Sequence, residues 1–165
     1  MDARVMHEER QSFSPWVYLI IVALLVGASV NLWFVMNASG NMWPLLYAAL
    51  VAIAVIPVLV NLLQLVIQVY PDHVYARLGA IVPIFWARIP IADIQAVRIV
   101  QYRPLRDAGG WGLRFGRFEG KSCRFFNARG NRGVLIDTLY RRYIIGSQEP
   151  EQLAAALETA RARIG

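Results

Sequence analysis

Arg103, Arg106, Arg114, Arg117, Lys121, Arg124, Arg129 and Arg132 crowd one stretch of this chain, against only Asp107 and Glu119. Such a cluster does electrostatic rather than covalent chemistry. Beside an anionic leaflet each basic residue gains ~1 kcal/mol of attraction, which decays within a Debye length. Arg103, Arg106, Arg114, Arg117 and Arg129 are the candidate contacts to anionic lipid headgroups or to an acidic protein partner. The plain alternative is a solvated surface whose charge only enforces membrane topology. Alternation along residues 121–127 puts Lys121, Cys123 and Phe125 on one face of a strand and Ser122, Arg124 and Phe126 on the other. The basic side chains therefore do not all share one face.

No other residues form a catalytic constellation. Gly109-Gly110-Trp111-Gly112 lacks the spacing and the following helix of a phosphate loop, and reads as a tight turn with Trp111 packed beside it. Residues 127–133, NARGNRG, read as a loop between strands, with a backbone nest for phosphate as the alternative. His7 and His73 lie far apart with no Cys or acid cluster near either, so no metal site is expected. Cys123 has no base nearby in sequence and reads as a structural residue. Ser, Asp and His occur at no recognised catalytic spacing, and neither enzyme activity nor a cofactor is expected.

The elements that must position these residues follow from the charge pattern. The chain is 57% hydrophobic, yet Gln11 to Pro71 contains no Asp, Glu, Lys or Arg. A soluble domain scatters charge along its length, so this run points to lipid as the solvent. It divides into two spans, 16–36 and 43–63, joined by the polar linker NASGN. About 20 residues at 1.5 Å rise cross a ~30 Å hydrocarbon core. Trp16, Tyr18, Trp33 and Trp43 sit near span ends, where aromatic rings favour the headgroup region. Pro15 and Pro44 suit helix starts, and Pro57 is expected to kink the second helix. Gly27 permits close helix approach, while Asn31 and Asn61 are candidates for hydrogen bonds across the hairpin or to a second protomer. The first span is too long, and its leader too weakly basic, for a cleaved signal peptide.

Residues 64–165 carry 15 Lys/Arg against 8 Asp/Glu, and the hairpin linker is uncharged. The positive-inside rule then places both termini in the cytoplasm, at an inner (plasma) membrane. A single cysteine excludes an intrachain disulfide, in keeping with a reducing compartment. The basic balance alone suits nucleic acid, but a membrane tether argues against that partner. The expected organisation is a cytoplasmic tail over 1–15, a transmembrane hairpin over 16–63 and a cytoplasmic domain over 64–165.

Within that domain, alternating β-branched residues predict strands over 64–70, 74–78, 81–89, 94–103, 111–115, 121–127, 134–139 and 142–145. Residues 89–94 suggest a short turn or helical corner, and 104–110 a loop. Ser147 followed by Pro150 opens a helix over 151–164, with Leu153, Leu157 and Ile164 on one stripe. About seven short strands and one terminal helix describe a small barrel or sandwich. With so little linker after residue 63, it should sit close to the membrane surface.

The segments YRPLRDAGGWGLR, FFNARGNRGVLID and IIGSQEPEQLAAAL, with HEERQSF before the first span and IPIADIQAVRIV after the first strands, resemble bacterial pleckstrin-homology-like (PH-like) membrane proteins with two N-terminal transmembrane helices. The resemblance covers nearly the whole chain. It implies an α+β membrane protein: a two-helix transmembrane hairpin followed by a seven-stranded PH-like β-barrel with a C-terminal helix. Asp137-Thr138-Leu139-Tyr140-Arg141-Arg142 departs from the glycine-containing hairpin turn such a barrel would have there. The expected function is a membrane-anchored scaffold or adaptor that binds a protein partner, anionic lipid or both. The second expectation is a structural accessory subunit, or homo-oligomer, that uses the hairpin as its interface. In that case Gly27 and Asn31 would matter more than the arginines.

Overall fold

A computed structural model describes residues 4–164. The chain divides into two compact units. Residues 13–60 form one, and the segments before Phe13 and from Asn61 onward form the other.

The helical unit holds α1 (Pro15–Ser39) and most of α2 (Trp43–Leu62). Pro15 sits in the first turn of α1, where its missing N–H leaves no bond unmade. Gly40 ends α1 in the left-handed conformation at φ 62°, and its N–H donates to Met36 O at 2.8 Å. The Asn41 side chain accepts from Trp43 N–H at 3.0 Å at the start of α2. Both helices are long and apolar enough to cross a membrane, and neither span buries its side chains against protein. A helix that is apolar all round and unburied belongs in an apolar solvent. The close approach expected at Gly27 is not made: a Cβ there would meet nothing within 4 Å. Asn31 is exposed and bonds to no other described group, so the cross-hairpin hydrogen bond expected of it does not form either. The helix continues through Pro57 as one element.

The second unit contains two sheets and a helix. β1 (His7–Ser12), β2 (Gln64–Val69), β3 (His73–Leu78) and β4 (Phe85–Pro90) pair in that order, all antiparallel. A 3-10 turn over Ile91–Asp93 leads into β5 (Ile94–Gln101). Then come the short α3 (Pro104–Asp107), β6 (Gly112–Phe118), β7 (Lys121–Asn127), β8 (Arg132–Thr138), β9 (Arg142–Gly146) and α4 (Pro150–Ala162). The second sheet runs β5-β8-β9-β7-β6, and only β7 and β9 are parallel. Two apolar helices, a β-rich region and a C-terminal helix are thus all present. The two sheets stay separate ladders and do not close into a barrel.

Three expectations are corrected. The tail over 1–15 contains β1, a ninth described strand beside the eight segments read from the sequence, where the resemblance implied seven. Its register joins Ser12 to Gln64, so the chain leaves the sheet unit and returns to it on neighbouring strands. The strand expected over 81–89 begins only at Phe85, because the backbone N–H groups of Ile81 and Val82 go to the Asn61 side chain rather than to a ladder. The loop over 104–110 includes α3, whose Asp107 carbonyl lies so close to Gly116 that a Cβ there would sit 2.0 Å from it.

The central strands of the five-stranded sheet are buried on both faces. On one, Cys123, Phe125, Leu135 and Ile144 pack with Tyr102 and Ala108 from the segment around α3. On the other, Phe126, Val134, Ile136 and Ile145 are fully buried. Each such side chain contributes about 1.5–3 kcal/mol. Helix α4 buries Leu153, Leu157 and Ala160 and packs on β5, β8, β1 and β2, which joins the two sheets. Ile164 lies beyond the end of the helix and is half exposed, off the expected stripe.

β1 is locked by polar chemistry. The buried Glu9 carboxylate accepts from Gln11 Nε2 at 2.9 Å, Ser147 Oγ at 2.6 Å and Gln148 N–H at 2.7 Å. Gln11 Nε2 also donates to Gly146 O at 2.8 Å, and Ser147 Oγ accepts from Glu149 N–H at 3.0 Å. A carboxylate from the far end of the chain therefore occupies the N-terminal side of α4, where negative charge is favoured. The expected Ser147 takes part, but the acid beside it comes from β1.

Candidate functional site

The five arginines singled out from the sequence do not converge. Arg103, just before α3, and Arg106, on it, are exposed, and the Arg103 backbone N–H donates to Asp107 Oδ2 at 2.7 Å. Arg114 and Arg117 are three residues apart on β6 and so point to opposite faces. Arg114 also folds back, its Nε donating to Trp111 O at 3.1 Å. Arg129 lies in the β7–β8 loop, where its carbonyl accepts from Gln148 Nε2 at 3.2 Å. Arg117 pairs with Ser122, and Arg129 follows Asn127 at the other end of β7, roughly 17 Å of strand away.

A different set of cations is brought together. The turn between β8 and β9 stands next to the start of β7, and two adjoining cavities share Ser122, Tyr140, Arg141 and Arg142. One, of about 440 Å³, extends over Lys121, Asp137, Thr138 and Leu139. The other, of about 350 Å³, extends over Phe115, Cys123 and Arg124. Together they make one groove lined by basic and aromatic side chains.

Each wall has a local cause. The turn departs from the glycine-containing type because Thr138 closes it. Thr138 Oγ1 accepts from Arg141 N–H at 3.0 Å and donates to Arg141 O at 2.7 Å, while Thr138 N–H donates to the same carbonyl at 2.9 Å. A side chain that satisfies the turn's backbone replaces a positive φ. Leu139 and Tyr140 are left exposed at its tip. The Arg124 guanidinium carbon lies 5.5 Å from the ring centre of Phe115 and 5.3 Å from that of Phe126, and this fixes its direction. Arg124 Nε is buried and has no acceptor among the described residues.

The acids nearby are already engaged. Asp137 is held by Arg142, with Nη2 donating to Oδ2 at 2.9 Å. The hydrogen bond from that guanidinium holds the Asp137 carboxyl below its ordinary range. Glu119 receives Arg98 Nη2 at 2.8 Å, which lowers its pKa in the same way, and Arg142 stands 3.8 Å off. Lys121, Arg124 and Arg141 form no ion pair with a carboxylate among the described residues, and Lys121 acts on Asp137 only at longer range. The groove therefore keeps uncompensated positive charge around an apolar hollow.

Two other reactive groups are chemically quiet. Burial pushes the Cys123 thiol up, away from the nucleophilic thiolate. Burial likewise pushes the Tyr102 hydroxyl up to about 12, so it stays neutral. No cluster of three His, Cys, Asp or Glu side chains comes together among the described residues. Lys121 and Arg124 were visible in the sequence as part of the basic run. Arg141 and Tyr140 were not connected to them, because a parallel β7–β9 pairing that sets Arg124 beside Tyr143 has no local signature. No family model, curated protein or solved structure matches the chain.

Proposed function

We propose that this chain is a membrane-anchored binding module, without catalytic activity, whose groove takes an acidic segment of a protein partner at the cytoplasmic face of a bacterial inner membrane. The carrying observation is that Lys121, Arg124 and Arg141, none of them in an ion pair with a carboxylate, line a groove together with the exposed rings of Phe115 and Tyr140. Guanidinium groups held against rings are poised to make paired hydrogen bonds to carboxylates. The exposed rings suit an apolar neighbour of the acid better than they suit a bare headgroup. β6 is also the edge strand of its sheet, with Phe115 73% exposed, which suits an added peptide strand. Arg103, Arg106, Arg114, Arg117 and Arg129 act as a diffuse basic field that draws acidic partners in. The PH-like resemblance supports this reading.

The test uses the full chain in phosphatidylcholine nanodiscs titrated with a labelled hexaglutamate peptide across a salt series. Binding should weaken with salt and fall about tenfold, ~1.4 kcal/mol, in R124Q/R141Q. Equal binding by that variant overturns the groove. Loss of peptide binding only in phosphatidylglycerol discs makes lipid headgroups the occupant instead.

A second reading has its own observation. Asn31 is a polar side chain in the middle of an apolar helix, and it bonds to no other described group. An accessory subunit would satisfy it from a neighbouring helix, in an interaction worth ~0.6–2 kcal/mol. Asn31→Leu should then release a co-purifying helix partner, while R124Q/R141Q should not.

A further inference from the structure

The sheet unit carries a second exposed tip with the opposite chemistry. Between β3 and β4 the chain reads GAIVPIFWA from Gly79, without a charge. Ile81 is 85% exposed, Val82 60%, Phe85 46% and Trp86 54%. An uncharged apolar run at a loop tip is unfavourable in water unless something covers it. The loop is not loose. Asn61 Oδ1 accepts from Ile81 N–H at 2.8 Å and Val82 N–H at 3.2 Å, and its Nδ2 donates to Val82 O at 2.8 Å. Ile84 N–H closes back on Leu78 O at 3.1 Å. The Ile81, Val82 and Ile84 backbone groups are thus satisfied by Asn61 and by Leu78, and the loop's apolar side chains stay exposed.

Asn61 is a last-turn residue of α2, just before the polar start of β2 at Gln64. We infer that the β3–β4 tip is an interfacial anchor, inserting Ile81, Val82, Phe85 and Trp86 into the headgroup and upper acyl region of the bilayer that α2 crosses. This rests on the reading that α2 spans a membrane. Where that helix leaves hydrocarbon, its amide holds the apolar loop at the same level. Trp86 pairs across the ladder with Arg77, and Arg88 lies two residues on. A tryptophan flanked by cations is the composition favoured at that depth. Three hydrogen bonds tether the uncharged loop to the last turn of a span, where lipid is the adjoining apolar phase.

The experiment is collision accessibility of nitroxide labels on the full chain in phosphatidylcholine vesicles. Single-cysteine variants V82C, I81C, I53C and Q152C are made on Cys123→Ala. Labels at 81 and 82 should collide with oxygen several-fold more, and with a water-soluble nickel chelate several-fold less, than the label at 152 on the solvent face of α4. They should fall between positions 152 and 53. Labels at 81 and 82 matching 152, with 53 in hydrocarbon, overturn the anchor alone. If 53 also reads as aqueous, the spanning reading itself fails. Immobilised labels at 81 and 82 that meet neither reagent show a second copy covering the tip, and they overturn lipid as its occupant.

Discussion

The β3–β4 loop and the β8–β9 turn end the two sheets in the same way and with opposite surfaces. Each is a tip whose backbone is satisfied by one polar side chain: Asn61 for the first, Thr138 for the second. The first then exposes Ile81, Val82, Phe85 and Trp86, and the second exposes Leu139 and Tyr140 among Lys121, Arg124 and Arg141. The difference teaches that backbone satisfaction and surface chemistry are separable. A tip whose N–H and C=O groups are already met is free to present whatever its partner requires. It also explains why total charge misleads here, since the surface with the most arginines is not where they converge.

The comparison breaks most sharply at Gly79. Its φ is +109°, and a Cβ there would lie 2.1 Å from Val82 O. Gly79→Ala should cost about 2–3 kcal/mol, read by denaturation of the reconstituted chain, with the β8–β9 turn unaffected. Asn61→Ala removes all three loop hydrogen bonds at a partly exposed site. It should cost about 1–2 kcal/mol and speed hydrogen exchange at the Ile81 and Val82 amides specifically. Equal exchange in both proteins would mean that the loop holds itself. Thr138→Val is the matching change at the other tip. A loss of about 1 kcal/mol, with weaker hexaglutamate binding, is expected because Tyr140 and Arg141 lose their fixed positions.

The smallest effect is one of pH and touches only the cationic tip. Arg142 holds the Asp137 carboxyl below its ordinary value of 3.8. The folded state therefore favours the carboxylate. The pair's stabilisation is complete above the unfolded range and is lost as pH falls below about 4. The stability gap between the native protein and Asp137→Asn should shrink from pH 6 to pH 3. A gap that stays constant would show that Asp137 contributes through shape alone.

Much of the fold was legible. The uncharged run foretold both long helices, and β-branched alternation located most strands within a few residues. Strand alternation correctly divided β7 into a Cys123/Phe125 face and a Phe126 face. β1 was missed because its inward residues are Glu9 and Gln11, so no apolar alternation marks it. Asn61 was assigned to helix packing because its neighbours in sequence are apolar. Its partners lie 20 and 21 residues on, in a loop whose shape depends on Gly79.

By itself, the sequence determined what each segment could tolerate as solvent. Hydropathy and charge are summed locally, and a charge-free run or an alternating strand needs no partner to be recognised. Tertiary structure decided which polar groups meet. The Glu9 carboxylate at the start of α4, Asn61 on the β3–β4 loop, and Arg124 beside Tyr140 and Arg141 are contacts between residues distant in sequence or set by sheet register. Hydrogen bonds act over about 3 Å, so their partners are fixed only once the chain has folded.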